Sequence, residues 1–382
     1  MEVINFLANN NVSNFEEVKM ILESEGCVVK DDGNLYLVYH RRHSENPNVL
    51  TGFQRSCNGA IFEKETNRIV CNSYDKFLKL DTELNPHFKS DFGNLVLENS
   101  VEGTLIRVFY YGGEFRVATK KCIDANKSRW GSRRSFGELF KDAVQNTHFR
   151  NFQFENNKVY FFNLRHPGNS VVFKNNKIGL DLLEVFRIED NRIYLDSSEF
   201  KCDYKVNNID TYVEMMEYMN SRTIENMRFQ GLIVYHKNAP YIKQRIQFPL
   251  YTKSRQVFGN EVSLFVKFLG MRENKEKMAE YIKYFPGSKV ELINYETEFL
   301  AFIDNIHKLY LDVKVFKKEV SIKRNFRRII YNIHGLYLRD KNPVSISMIV
   351  NHVMKLDYKL VEFLYNDYKN NGMREQKDVD EF

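Results

Sequence analysis

Apolar and polar positions along the chain follow two regimes. Up to about residue 258, short apolar runs are punctuated by Gly, Asn and Asp. Leu35-Tyr36-Leu37-Val38-Tyr39 reads as an alternating strand. Leu95-Val96-Leu97 runs into Ser100-Val101-Glu102-Gly103-Thr104-Leu105-Ile106-Arg107-Val108. Phe109-Tyr110-Tyr111 then meets Gly112-Gly113, and Glu114 to Lys121 reads as the return strand, so a tight glycine turn is expected there. Residues 1–26 read as helical. Val12-Ser13-Asn14 offers a capped start, with Val18, Ile21 and Leu22 on one face. From about Gly259 the apolar spacing changes to three and four. Phe265, Phe268 and Leu269 follow it, as do Leu300, Phe302, Ile303 and Ile306. Pro343 after Asn342 looks like a helix start, and Ile346 to Leu364 is periodic. The pattern predicts an α+β chain, with an antiparallel-sheet domain over 1–258 and an all-helical domain over 259–382.

Composition bounds this picture. A chain of 382 residues is long for one core, and 43% apolar content is enough to bury a real one. The 31 Phe and 22 Tyr match the codon bias of an AT-rich genome, so they add little in favour of base stacking. A net charge of +6 is compatible with nucleic acid and equally with an ordinary soluble protein. The five cysteines are widely spaced without a Cys-x-x-Cys, which points to reduced thiols and away from a zinc knuckle or disulfide scaffold. No secretory signal pattern and no apolar run of bilayer length occur, so an intracellular, cytoplasmic protein without membrane spans is expected.

The candidate chemistry lies in an ordered series of short segments. Arg55-Ser56-Cys57-Asn58-Gly59 is followed by Tyr74-Asp75-Lys76-Phe77, then Ser100-Val101-Glu102-Gly103. Lys120 ends the next strand. Asn163, Pro167 and Asn169 come next, then the apolar Leu180 to Phe186. Phe229-Gln230-Gly231, Lys243-Gln244-Arg245 and Tyr251 close the series. In this order the segments resemble the RNA ligase 1 family of T-even bacteriophages, a branch of the covalent nucleotidyltransferases that also include DNA ligases and mRNA capping enzymes. The resemblance implies an ATP-grasp-like ligase domain followed by an extra helical domain. It implies that Lys76, Phe77, Glu102, Gly103, Lys120, Lys243 and Arg245 bind nucleotide. It also implies ATP and Mg²⁺ as cofactors if the chain is active.

Four positions depart from the family. Its nucleophilic lysine is Ser100 here, and two carboxylate positions are Asn163 and Gln230. Its upstream arginine is Asn58. In the family a lysine amine attacks the α-phosphate of ATP and carries AMP to an RNA 5′-phosphate. A serine hydroxyl is shorter, and it needs a general base that the sequence does not offer. Asn and Gln can hydrogen-bond ribose or phosphate, but they are neutral and hold Mg²⁺ far less well than carboxylates. No metal-ligand set is expected. Lys30-Asp31-Asp32-Gly33 also fits the short nucleophile pattern, and it reads better as an acidic turn between strands.

Two basic stretches are candidate RNA contacts. Arg129, Arg133 and Arg134 surround Trp130, the sole tryptophan; a solvated loop pinned by a buried Trp130 is the equal alternative. Lys317, Lys318, Lys323, Arg324, Arg327 and Arg328 form a run inside the helical region, where a solvated helix face is the ordinary role. Retained cations with a missing nucleophile and missing acids suggest a pseudoligase that binds RNA ends or nucleotide. The alternatives are an active RNA ligase with an unusual nucleophile such as Lys30 or Lys79, and a scaffold that uses the fold to meet protein partners. A virus with an AT-rich genome is the expected source.

Overall fold

A computed structural model describes residues 2–9, 14–41, 51–75, 78–79, 84–169, 172, 177–196, 202, 204–224 and 229–374. The chain divides into two compact units, Met1–Gln256 and Val257–Phe382. The first is built on antiparallel sheets and the second on helices, so the fold is α+β with a helical C-terminal part.

The first unit opens with α1 (Glu2–Asn9) and α2 (Phe15–Ser24). The Asn14 side chain caps α2 by accepting from the Glu17 amide, and Val18 and Leu22 are buried on one face, as the pattern predicts. Strands β1 (Cys27–Asp32) and β2 (Leu35–His40) form a hairpin, α3 (Gly52–Ser56) follows, and β3 (Asn58–Glu63) and β4 (Ile69–Cys71) complete a sheet of order β1-β2-β3-β4. Lys30-Asp31-Asp32-Gly33 is the turn end of this hairpin. The strand at Leu35–Val38 is not half-buried as alternation predicts: all four residues are buried. Tyr36 and Val38 face the α1 and α2 side, while Leu35 and Leu37 pack with Phe109 and Phe161 from a second sheet, so both faces of the strand are covered.

After β5 (Leu78–Lys79) and α4 (Pro86–Ser90) come β6 (Leu95–Val101), β7 (Thr104–Tyr111) and β8 (Glu114–Thr119). Gly112 and Gly113 make the tight turn between β7 and β8, both at positive φ. Helix α5 (Phe136–Gln145) begins in a capping box of Ser135 and Glu138, and Phe136, Leu139, Phe140 and Ala143 bury one face. Strands β9 (Lys158–Arg165), β10 (Gly179–Glu189) and β11 (Arg192–Asp196) follow, then α6 (Tyr212–Asn220), β12 (Phe229–His236) and β13 (Ala239–Gln247). They form two sheets, of order β11-β10-β9-β7-β8 and β5-β13-β12-β6; among the described residues only the β5–β13 pair is parallel.

Helical structure resumes with α7 (Pro249–Phe258), ahead of the expected change at Gly259. Pro249 supplies a pre-set φ at the first helical position, where its missing N–H costs nothing. The second unit contains α8 (Leu264–Met271), α9 (Lys275–Tyr284), α10 (Lys289–Tyr310), α11 (Arg324–Asp340), α12 (Ile346–Val353) and α13 (Tyr358–Asn371). Its core joins Phe265, Phe268, Phe299, Phe302, Ile306, Phe326 and Tyr365. The expected helix start at Pro343 is displaced to Ile346, because the Ser345 side chain accepts from the Met348 amide and sets the cap. The periodic stretch 346–364 is two helices, separated where Asp357 caps α13.

Candidate functional site

A cleft of about 180 Å³ opens between the sheet containing β9 and β10 and the sheet containing β6, β12 and β13. It gathers residues distant in sequence. Ser100 comes from β6, Asn163 from β9, Gln230 from β12, and Lys243 and Arg245 from β13; Gly103 lies in the turn between β6 and β7. All six are sequence-predicted site residues, and the fold brings them into one wall system. Tyr74, Glu98, Glu184, Cys202 and Tyr204 line it as well, and the sequence reading assigned none of these.

The cleft is therefore not stripped of acid, as the departures at 163 and 230 alone suggest. Glu184 is buried and pairs with Lys243. Lys243 Nζ also lies 5.3 Å from the Tyr74 ring centroid and 5.1 Å from that of Tyr235. The Tyr235 hydroxyl donates to Glu98 Oε1 at 2.7 Å. Burial, then the charge of Glu184, pushes the Tyr74 phenol well above its ordinary range, so it stays protonated as a donor. A β-bulge explains why Glu184 was missed. The β9–β10 register shifts between Leu182 and Glu184, so Leu183 and Glu184 both line the cleft although consecutive strand residues normally face opposite ways.

Gln230 sits at a second bulge, where Phe229 pairs with Val101 and Gly231 with Ser100. Its Nε2 donates to the Val101 carbonyl at 2.8 Å, which ties β12 to the end of β6 beside Ser100. Ser100 is 4% exposed. Asn163 Nδ2 faces Asp181 Oδ2 at 3.4 Å, and Asp181 is gripped by Arg165 through contacts of 2.9 and 2.8 Å. That bidentate pair raises the Arg165 pKa. Gly103 lies against the Asn163 side chain, which would have to shift to admit a Cβ there.

The remaining predicted positions fall elsewhere or outside the described residues. Glu102 is buried beside the cleft without lining it. Its Oε1 accepts from the Tyr251 hydroxyl and the Val172 amide, both at 2.9 Å. Burial and the Glu102 charge push the Tyr251 phenol pKa up. Lys120 follows β8 and is not a cleft wall; its carbonyl would lie 2.4 Å from a Cβ on Gly59, whose φ is +114°. Asn58 donates to the Tyr74 carbonyl at 2.8 Å. Lys76 and Phe77 lie outside the described residues. Lys30, on β1, donates to the Lys121 carbonyl at 3.2 Å and does not line the cleft. The side chain of Lys79 is outside the described set.

Arg107 was not singled out and is the largest fully buried side chain. Its Nη1 donates to the carbonyls of Gly59 and Asn72, at 2.5 and 2.9 Å, and its Nη2 donates to Thr119 at 2.8 Å. Burial lowers its pKa. It ties the start of β3 to the ends of β4 and β8.

The basic stretches are both exposed. Arg129 and Arg133 lie on the surface, while Arg134 pairs with Asp142 at 2.7 Å. Trp130 is 37% exposed, so it is not the buried pin of the alternative reading. In the helical unit, Lys317, Lys318, Arg324, Arg327 and Arg328 are exposed and Lys323 is half-buried. Lys318 contacts Asp312 at 2.6 Å, and Arg327 Nε donates to the Ile322 carbonyl at 2.7 Å.

The donor set bears on cofactors. Among the described residues no group of three or more His, Cys, Asp or Glu side chains could hold a metal ion. The cleft carboxylates are each engaged, Glu184 by Lys243 and Glu98 by Tyr235. Their arrangement does not fit a dedicated Mg²⁺ site. Two cations and several phenols do suit a phosphate or nucleotide.

No family model matches the chain. Over 310 residues it is 24% identical to an immediate-early protein ICP-46 homolog of Invertebrate iridescent virus 6, covering 75% of this chain and 64% of that protein. An ICP-46 homolog of Invertebrate iridescent virus 3 is 40% identical over 52 residues, 14% of this chain and 12% of that one. The chain thus spans less than two thirds of the length of these curated relatives. Similar solved structures include a putative ATP-dependent DNA ligase from Aquifex aeolicus, with TM-score 0.42 and 12% identity over 78% of this chain and 80% of that one. Two forms of an archaeal ATP-dependent RNA ligase give TM-scores of 0.40 and 0.42 at 10% identity, covering 94% and 96% of this chain and 99% and 98% of theirs. These structural similarities are to ATP-dependent ligases as a class and do not single out the phage RNA ligase 1 family.

Proposed function

We propose that this chain is an RNA ligase-like protein that has lost self-adenylation and uses the cleft to bind a nucleotide or a phosphorylated RNA end. The observation that carries the reading is the convergence of Ser100, Asn163, Gln230, Lys243 and Arg245 on one cleft. The positions that the resemblance assigns to the nucleophile and the acids are neutral, and those it assigns to phosphate contacts are cationic. The cleft carboxylates that could serve the buried Ser100 hydroxyl as a base, Glu98 and Glu184, are engaged by Tyr235 and Lys243, and a serine hydroxyl without a free base is a poor nucleophile at phosphorus. Lys243 and Arg245 supply charge that an anionic ligand can meet, once Glu184 yields Lys243. The iridescent-virus match supports a virus-encoded protein.

The test is self-adenylation. The protein is incubated with ATP and Mg²⁺ or Mn²⁺ and weighed intact, and melting is followed with ATP and with 5′-phosphorylated RNA. The expected result is no AMP adduct together with a rise in melting temperature that Lys243→Ala and Arg245→Ala reduce. An adduct would overturn the reading in favour of an active ligase. Peptide mapping would then locate the nucleophile, with Lys243, Lys30 and Lys79 as the candidates. No adduct and no thermal shift would favour a scaffold.

A further inference from the structure

Helix α11 buries Phe326, Ile329, Ile330 and Ile333 and turns another face to solvent. On the exposed side Arg324, Arg328 and Tyr331 are spaced four and three apart, which places them along one stripe. Tyr331 is 66% exposed, and Lys314 Nζ lies 4.5 Å from its ring centroid. Two residues beyond Lys314, Phe316 is 60% exposed with Lys318 Nζ 5.6 Å from its ring. A singly exposed ring is ordinary on a protein surface, and it is the basic residues beside it that suit a charged, stacking partner.

Charge is concentrated on the same stretch. Between Leu311 and Tyr331 there are seven Lys and Arg against two acids, in a chain whose whole net charge is +6. One of the acids, Asp312, is already held by Lys318 and Arg374, each at 2.6 Å. The positive field reaches inward: burial first, then Lys314 and Lys317, hold the neighbouring His334 imidazole below its ordinary pKa.

We propose that this face of α11 is a platform for an unpaired nucleic-acid strand, with Tyr331 stacking on a base and Lys314, Arg324 and Arg328 meeting phosphates. Each exposed ring has a cation beside it. Bases flanked by phosphates complement that pairing, whereas an apolar protein surface or a duplex with its bases stacked inside does not. The inference deepens the reading of RNA as partner, yet it uses no residue of the cleft.

The test is fluorescence anisotropy with a labelled oligouridylate and a blunt duplex, using the full chain across a salt series. The single strand is expected to bind more tightly than the duplex. Tyr331→Ala should weaken it by about 5- to 100-fold, and Tyr331→Phe should restore most of the loss because the ring remains. Arg324→Gln and Arg328→Gln should each lower the salt slope by about 0.7, the effect of one lost phosphate contact on a single strand. Unchanged melting of these surface variants checks that folding is intact. Equal affinity for duplex and single strand, or a Tyr331→Ala variant that binds as well as the parent, would overturn the platform. Tyr331→Ala should lose strand binding while keeping the full ATP-induced thermal shift, so the cleft and the platform can fail separately.

Discussion

Lys243 and Glu184 form a buried ion pair inside the cleft, bridging β13 and β10 across two different sheets. Each partner keeps the other compensated away from water, and each is withheld from an incoming ligand. A phosphate must compete with Glu184 for Lys243. Glu184→Gln is therefore expected to act in two opposite directions. It should destabilise the protein by roughly 3 kcal/mol, because it leaves a buried ammonium without its partner. It should also enlarge the ATP-induced rise in melting temperature, since Lys243 becomes available. Scanning calorimetry with and without ATP reads both. A variant as stable as the parent, with the same ATP response, would show that the pair does not gate the cleft.

Arg107 holds three carbonyls from three segments: Gly59, Asn72 and Thr119. Arg107→Met keeps much of the aliphatic bulk and removes every donor. With buried carbonyls left unpaired, a loss on the order of 3 kcal/mol is expected, measured by urea unfolding. Arg107→Lys should recover only part of it, because one ammonium cannot span the three acceptors that a planar guanidinium reaches.

Tyr251→Phe removes one hydroxyl from a carboxylate that is 7% exposed. The Val172 amide remains as a donor to Glu102. The expected cost is about 1–3 kcal/mol in chemical unfolding, the range for leaving a buried polar group short of a partner. Glu102→Gln should cost less in the Tyr251→Phe background than in the parent, since the two residues share one interaction.

Acid should weaken the helical unit in two stages. Burial lowers the pKa of His352 and of His334 from the ordinary value of 6.5. The unfolded chain then takes up the proton first, so this contribution is complete above 6.5 and falls away as pH drops below it. Asp312, Glu298 and Asp367 have lowered pKa values, from hydrogen bonds to Lys318, Tyr365 and Asn371 foremost. Their contributions persist above the ordinary carboxylate values of 3.8 and 4.5 and are lost only below them. Melting temperature against pH should show both steps, and His352→Gln with His334→Gln should flatten the upper one alone.

Much of the architecture was determined by local pattern. The Gly112-Gly113 turn, the Asn14 cap, the change to helical spacing and the order of the cleft segments are short-range features, set by backbone sterics and by which residues can cap or turn. The sequence by itself also determined that Ser100, Asn163 and Gln230 carry no charge. Tertiary structure decided what surrounds them. A bulge at Leu183 shifts the phase of β10 and delivers Glu184 to the cleft, a displacement that period-two reading cannot anticipate. The pairing of Lys243 with Glu184, the burial of Arg107 beneath three carbonyls and the covering of both faces of Leu35–Val38 arise from contacts between strands far apart in the chain. Local propensity is blind to such contacts, because their free energy appears only once the sheets have packed and water has been excluded from between them.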